Sequence, residues 1–306
     1  MKQIILLVIS ISFLASCAGR PPAVPKENAT SVTAQTSPPT DVTFESGPAV
    51  RVLIPAGAFT MGSDQETALN ECDKYFTGCN RQEWYLNEWP VHEVTLEAYY
   101  MDIYEVTNGQ YQECISAGGC TPPSRNGSAS RSSYFDNPEF REYPVIWVTW
   151  EQAKTYCEWR GARLPTEAEW EKAARGTDSR LYPWGDSFEA GAGNFCDINC
   201  RLGWANRDFD DGFEDTSPVG SFPSGVSPFG IHDMGGNVNE WVADWYDAEY
   251  YAESPAANPT GPDSGSSHVI RGGSFHTPGQ GLRTTARPLS EPSGDYIGFR
   301  CAVSSK

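Results

Sequence analysis

The sequence predicts an α+β fold in which short helices and short strands are joined by long loops that regular structure alone does not hold. Three observations predict it. Glycine (29) and proline (23) are abundant while charged residues make up only 20%, a balance that suits a loop-rich globular chain and not a bundle or coiled coil. Hydrophobic residues reach 39% and include ten tryptophans, enough to bury a core and to exclude wholesale disorder. Helix and strand signals are both present, each short, with Gly/Pro/Asn/Asp stretches between them. The length of 306 residues allows one large domain or two small ones.

Taken in order, the chain opens with Lys2 and an apolar run from Ile4 to Leu14, followed by Leu14-Ala15-Ser16-Cys17. The run is shorter than the roughly 20 residues a membrane helix needs. A basic start, a short apolar core and small residues are the parts of a secretory leader. Cys17 after Leu-Ala-Ser resembles the bacterial lipobox, whose cysteine is lipidated and becomes the mature N-terminus. Residues 1–16 are therefore expected as a signal peptide and Cys17 as a membrane anchor in the bacterial cell envelope. Ala18 stands where inner-membrane lipoproteins commonly carry aspartate, which points to the outer membrane. Residues 17–48 are rich in Pro, Ala, Ser and Thr, the composition of a tether, and the folded part is expected over 49–306.

Within it, strand-like stretches fall at Val50–Ile54, Val91–Tyr99, Val145–Val148, Val269–Arg271 and Ile297–Val303. Three helix starts fit the capping box, in which Thr and Glu/Gln satisfy orphan amides reciprocally: Thr107 with Gln110, Thr149 with Gln152, and Thr166 with Glu169. The second helix runs to about Arg160 before Gly161 and the third to about Arg175 before Gly176, glycine being the residue that ends helices. On the second helix Trp150, Ala153 and Cys157 share a face, turning Cys157 inward.

Nine cysteines less Cys17 leave eight, and an even number in an exported chain favours disulfides. Local pairs are Cys72–Cys79, Cys114–Cys120 and Cys196–Cys200; Cys157 and Cys301 remain to join mid-chain to C-terminus. The rival reading, a redox or metal-binding thiol pair, is disfavoured because no Cys-x-x-Cys occurs. The net charge of −18 repels phosphate backbones, so no nucleic-acid partner is expected. Asp208, Asp210, Asp211, Glu214 and Asp215 crowd one loop; such a loop is either fully solvated or neutralised by a hard cation such as calcium.

Several motifs then occur in a telling order: Ile54-Pro55-Ala56-Gly57-Ala58-Phe59-Thr60-Met61-Gly62, Asn87-Glu88-Trp89-Pro90-Val91-His92, Glu105-Val106-Thr107-Asn108, Arg163-Leu164-Pro165-Thr166-Glu167-Ala168-Glu169-Trp170-Glu171, Tyr182-Pro183-Trp184-Gly185, Gly235-Gly236-Asn237-Val238-Asn239-Glu240-Trp241, Arg271-Gly272-Gly273-Ser274 and Gly298-Phe299-Arg300-Cys301. From about residue 50 to the end the chain resembles the formylglycine-generating enzyme, or sulfatase-modifying factor, family. The resemblance implies a single domain of C-type-lectin-like topology and a Cys157–Cys301 disulfide. It also implies two structural calcium sites: one from the side chains of Asn194 and Asp211 with the carbonyls of Phe195 and Phe213, the other from Asp233 and Glu240 with the carbonyls of Gly236 and Val238.

The family's oxidases carry two cysteines at the third and eighth positions after Gly-Gly-Ser, and soft thiolates of this kind hold Cu(I). The matching positions here are Thr277 and Leu282, neither of which binds Cu(I), so copper is not expected. The family's tryptophan before Glu-Trp is Asn239. Some relatives bind iron through histidines, but His92, His232, His268 and His276 show no helical ligand spacing. No hydrolase, zinc-protease or phosphate-loop motif occurs. The expected role is a non-catalytic binding or scaffold module for a protein or glycan ligand. Its face would comprise Ser274, Phe275, His276, Gln280, Arg283, Thr284, Thr285, Arg287 and Tyr296, aromatic anchors mixed with adaptable hydrogen bonders; the competing expectation is that Arg283 and Arg287 are spent on pairing with the acidic loops. The alternative is an oxidoreductase or maturation enzyme, formylglycine-generating or iron-dependent, acting on exported proteins.

Overall fold

A computed structural model describes residues 50–74, 86–288 and 290–305. The expected leader, Cys17, the tether and Cys79 lie outside the described residues. Among the described residues three small sheets build the frame. Strand β1 (Arg51–Ile54) pairs antiparallel with β4 (Tyr99–Asp102), which pairs in turn with β8 (Ala302–Ser304). Strands β2 (Gly57–Met61) and β3 (His92–Leu96) form an antiparallel ribbon. In the third sheet β5 (Asn239–Trp245) lies between β6 (His268–Arg271), antiparallel, and β7 (Ile297–Phe299), parallel. Pairing β8 beside β4 and β1 brings the two ends of the folded part onto one sheet.

Helices α2 (Asn108–Ser116), α3 (Trp150–Trp159) and α4 (Glu167–Arg175) each begin at the expected capping box, with both reciprocal hydrogen bonds formed. Gly176 ends α4 at φ 71° and Gly161 follows α3 at φ 66°, a left-handed conformation that glycine adopts without steric cost. A further helix, α1 (Gln65–Asp73), starts at Asp64, whose carboxylate accepts the Thr67 amide at 2.8 Å. Its cap is Asp64 with Thr67 three residues on, one residue past the Ser63-Asp64-Gln65-Glu66 match to a capping box, and sequence reasoning passed over it.

The strand expectations are corrected in three places. Val91–Tyr99 divides at Glu97-Ala98 into β3 and β4, which belong to different sheets, and the Asn258 side chain accepts the Glu97 amide at the break. Ile297–Val303 divides at Arg300-Cys301, where Arg300 turns inward onto Glu240 and Cys301 bonds to Cys157. Val145–Val148 forms no strand: Trp147 sits at φ 60°, incompatible with extended pairing, although Val145 and Val148 are core residues. The strongest strand, β5, was missed because Asn239-Glu240-Trp241-Val242-Ala243-Asp244-Trp245 is nearly all buried and so shows no period-two alternation.

One core cluster joins β1, β4, α4 and β5 through Ile54, Tyr99, Met101, Trp170 and Val242. Another joins α2, α3, β5 and β7 through Tyr111, Tyr156, Trp241 and Phe299. Disulfides Cys114–Cys120, Cys157–Cys301 and Cys196–Cys200 are formed. The second crosses a sequence separation of 144 and lies in the second core.

Candidate functional site

The segment following Gly272-Gly273-Ser274 is not the exposed patch expected from sequence. Ser274, Phe275, Gln280, Arg283, Thr284, Thr285 and Arg287 are all buried. The physical reason is electrostatic. Arg283 donates through both terminal nitrogens to the two carboxylate oxygens of Glu88, each at 2.7 Å, and Thr285 adds a hydroxyl to Glu88 at 2.8 Å. Arg287 clamps Glu167 through Nε at 2.6 Å and Nη2 at 3.0 Å, and donates to the Asn87 carbonyl at 2.6 Å. From β6, Arg271 reaches Glu171 at 2.6 Å and Glu167 at 3.1 Å. A guanidinium can be taken out of water only where carboxylates of matching geometry await it. These arginines therefore fasten the segment to α4 and to the Asn87-Glu88 turn instead of reaching solvent.

Of the expected face, His276 and Tyr296 stay half-buried, with ring centroids 5.8 Å apart. Burial lowers the His276 pKa, favouring the neutral imidazole. Burial, with Glu291 and Asp295 nearby, pushes the Tyr296 phenol up to about 12. The indole of exposed Trp204 donates to the His276 carbonyl at 2.9 Å. Asn239, buried, donates its amide to the Tyr296 carbonyl at 2.8 Å, and its side-chain oxygen has no partner.

At the family's two copper positions the residues present do not fit the ion. Thr277 closes a tight turn: its hydroxyl accepts the Ser274 amide at 2.9 Å, its own amide donates to the Ser274 carbonyl at 2.8 Å, and its carbonyl accepts the Cys196 amide at 3.0 Å. Leu282 is fully buried in an apolar cluster with Tyr182 and Phe195. Neither supplies a soft donor. Cys114, Cys120, Cys157, Cys196, Cys200 and Cys301 are closed in disulfides.

The cation-site residues divide. Asn194 is buried with its Oδ1 unpartnered while its Nδ2 donates to the Asp215 carbonyl at 2.8 Å. Asp211 accepts the amides of Phe195 (3.2 Å) and Phe213 (2.9 Å), which draws together all four residues of the first set. Burial, with the nearby charge of Asp197, pushes the Asp211 carboxyl up to about 7. An orphaned amide oxygen beside a carboxylate that lacks a counter-charge fits a hard cation.

In the second set Glu240 is committed elsewhere: both oxygens meet Arg300 at 2.7 Å and one also accepts the Trp170 indole at 2.9 Å. Asp233 is buried, accepts the Gly220 amide at 2.6 Å, and is pushed up to about 6, chiefly by burial. Glu105 is pushed well above the usual carboxylate range, chiefly by burial and then by the nearby charge of Asp233. This second set fits a cation less well, because Arg300 already occupies the glutamate. Among the described residues no group of three or more His, Cys, Asp or Glu forms a ready-made metal cage, so any ion here depends on amide and backbone oxygens.

Sequence reasoning missed Glu88, Glu105 and Asp197. Glu88 and Glu105 lie inside motifs already singled out, and four arginines between 271 and 300 in an acidic chain were the signal that buried carboxylates had to exist.

A sulfatase-modifying factor enzyme 1-like domain matches residues 37–305. The chain is 33% identical to the formylglycine-generating enzyme of Streptomyces coelicolor, over 84% of this chain and 92% of that protein. It is 30% identical to the inactive C-alpha-formylglycine-generating enzyme 2 of Bos taurus, over 82% and 87%. The solved structure of PvdO from Pseudomonas aeruginosa superposes with a TM-score of 0.63 at 28% identity, covering 83% of this chain and 94% of that one. On this match, together with the order of motifs along the chain, the protein belongs to the sulfatase-modifying factor enzyme 1-like family.

Proposed function

We propose that the chain is an exported, lipid-anchored member of this family that works as a non-catalytic binding or scaffold module for a protein or glycan. The observation that carries the proposal is the state of Thr277 and Leu282. A copper-dependent oxidase of the family needs two thiolates there; this chain has a turn-closing hydroxyl and a core leucine. The Glu88–Arg283 and Glu167–Arg287 pairs make the segment around them part of the rigid frame, which suits presentation of a fixed surface better than turnover. Likeness to a relative named as inactive is consistent with this reading. Calcium, when bound, would neutralise Asp211 and tie the 194–195 segment to the 211–213 segment. The leader and Cys17 would hold the domain at the membrane by a lipid.

The test uses the full-length chain purified in detergent from an oxidising compartment. Free thiols are counted by alkylation and mass before and after reduction, Cu(I) binding is titrated, and conversion of a sulfatase-type cysteine peptide is followed by mass. No native thiol outside the anchor, no tight Cu(I) site and no conversion are expected. Two free thiols, or any conversion of the peptide, overturns the reading in favour of an oxidoreductase.

A further inference from the structure

Three of the described residues with large, exposed apolar side chains sit on one loop: Ile198 at 46% exposure, Trp204 at 46% and Phe209 at 42%. Single exposed apolar residues need no explanation, whereas a group of them on a well-held surface marks a contact site. This loop is well held. The Cys196–Cys200 disulfide closes its start. The Ile198 amide donates to the Phe209 carbonyl at 3.0 Å, and the Asn206 amide to the Cys196 carbonyl at 2.9 Å. The Arg207 guanidinium donates to the Ile198 carbonyl at 2.8 Å, and the indole of Trp204 is pinned to the His276 carbonyl. Phe209 rests edge-on against Phe188 and Phe195, with centroids 6.4 and 6.3 Å away. The exposure is thus a property of an ordered surface and not of a loop that failed to pack. Rigid aromatic side chains lose little conformational entropy on contact, which is why such residues act as anchors.

Carboxylates outnumber cations around these side chains. Asp208 and Asp210, both exposed, flank Phe209. Over residues 186–214 the sequence carries seven carboxylates against two arginines; Arg201 pairs with Glu214 and Arg207 bonds backbone carbonyls. A second copy of the same chain would bring the same acidic rim and the same net charge of −18, so self-pairing is opposed. An anionic lipid surface is opposed for the same reason.

We infer that the 196–210 loop is a docking surface for a cationic polypeptide segment, one that places an aromatic or aliphatic side chain between basic residues. The apolar side chain would seat among Ile198, Trp204 and Phe209 while the basic ones face Asp208 and Asp210. Charge complementarity of this kind sets the choice of partner and the rate of encounter, and the apolar anchor sets the lifetime. The inference rests on the binding-module reading and names the partner class for it.

The experiment measures fluorescence anisotropy with the full-length chain and three labelled hexapeptides: Lys-Arg-Phe-Leu-Arg-Lys, its charge reversal Glu-Asp-Phe-Leu-Asp-Glu, and Lys-Arg-Gly-Gly-Arg-Lys. Binding of the first at least tenfold tighter than of either other is expected. Trp204→Ala and Phe209→Ala should each weaken it about tenfold, the joint Asp208→Asn/Asp210→Asn change should flatten its salt dependence, and Trp89→Ala, an exposed tryptophan elsewhere, should leave it unchanged. Ile198→Ser, altering a side chain nearly half in solvent, is the second variant if Trp204→Ala does not fold. Equal binding of all three peptides, no binding of any, insensitivity to the loop variants, or uptake by phosphatidylglycerol vesicles in place of the cationic peptide each overturns the inference. Thiol count and peptide conversion report separately on the binding-module reading, so its failure is distinguishable from failure of the docking surface.

Discussion

Replacing Arg283 by methionine keeps an unbranched, flexible stem, though a shorter one, and removes the charge. In the parent, Arg283 and Glu88 are each 1% exposed and meet through two 2.7 Å bonds. After the change, Glu88 keeps the Thr285 hydroxyl at 2.8 Å but no cation. Stranding one partner of a buried pair costs about 3–5 kcal/mol, and for a domain of this size each kcal/mol moves Tm by about 2–4 °C, so a fall on the order of 10 °C is expected. The partner change Glu88→Leu should cost a similar amount, since it strands the guanidinium. Making both changes together should cost less than the sum by about 2–4 kcal/mol, because no buried charge is then left unpaired. The assay is urea unfolding followed by tryptophan fluorescence, with disulfides intact and all four members of the cycle measured at one pH. A single-variant loss below about 1 kcal/mol, or strict additivity, would show that the pair is solvated in solution and would refute the reasoning.

Three other outcomes are expected. Removing the Cys157–Cys301 bridge, whose sequence separation is 144, by a double serine change should destabilise by up to about 5 kcal/mol in the chain-entropy model; the six-residue Cys114–Cys120 loop should cost about 2 kcal/mol, and reversal of that order in urea unfolding would count against the model. Millimolar calcium should raise Tm of the parent but not of Asp211→Asn, the gain reaching about 2.7 kcal/mol at a hundredfold excess over Kd; a calcium response surviving in Asp211→Asn would remove Asp211 from the site. Asp244, buried where it accepts the Glu167 amide at 2.7 Å, is pushed well above its usual value of 3.8, chiefly by burial. A raised folded-state pKa gives stability that is full below the unfolded value and lost as pH rises through the folded one. Unfolding scans from pH 4 to 8 should therefore show the parent losing stability relative to Asp244→Asn as pH increases, and parallel curves would contradict this.

What could be read along the chain was whatever depends on neighbours in sequence. The capping boxes at Thr107, Thr149 and Thr166 are satisfied within three residues, so their helices start where sequence places them. Cys114 with Cys120 and Cys196 with Cys200 are short loops that close locally. The replacement of thiolates by Thr277 and Leu282 was likewise visible before any coordinates, and the structure added only that both side chains have other employment.

The reverse holds wherever the partner is distant. An arginine in a loop looks solvent-facing until the carboxylate that strips its water is known, and Glu88 lies 195 residues from Arg283. Residues 239–245 do not alternate because a core packs on each face of the strand, while β6 and β7 pair along its edges. Residues 297–303 look like one strand until Arg300 is drawn to Glu240 and Cys301 to Cys157. Sequence by itself thus determined the local caps, the short cross-links and the absence of thiolates at positions 277 and 282, because these are set by residue type and near-neighbour spacing. Tertiary structure alone decided which charges are buried and which apolar side chains stay exposed, because desolvation is a property of everything that packs around a group, however far away along the chain.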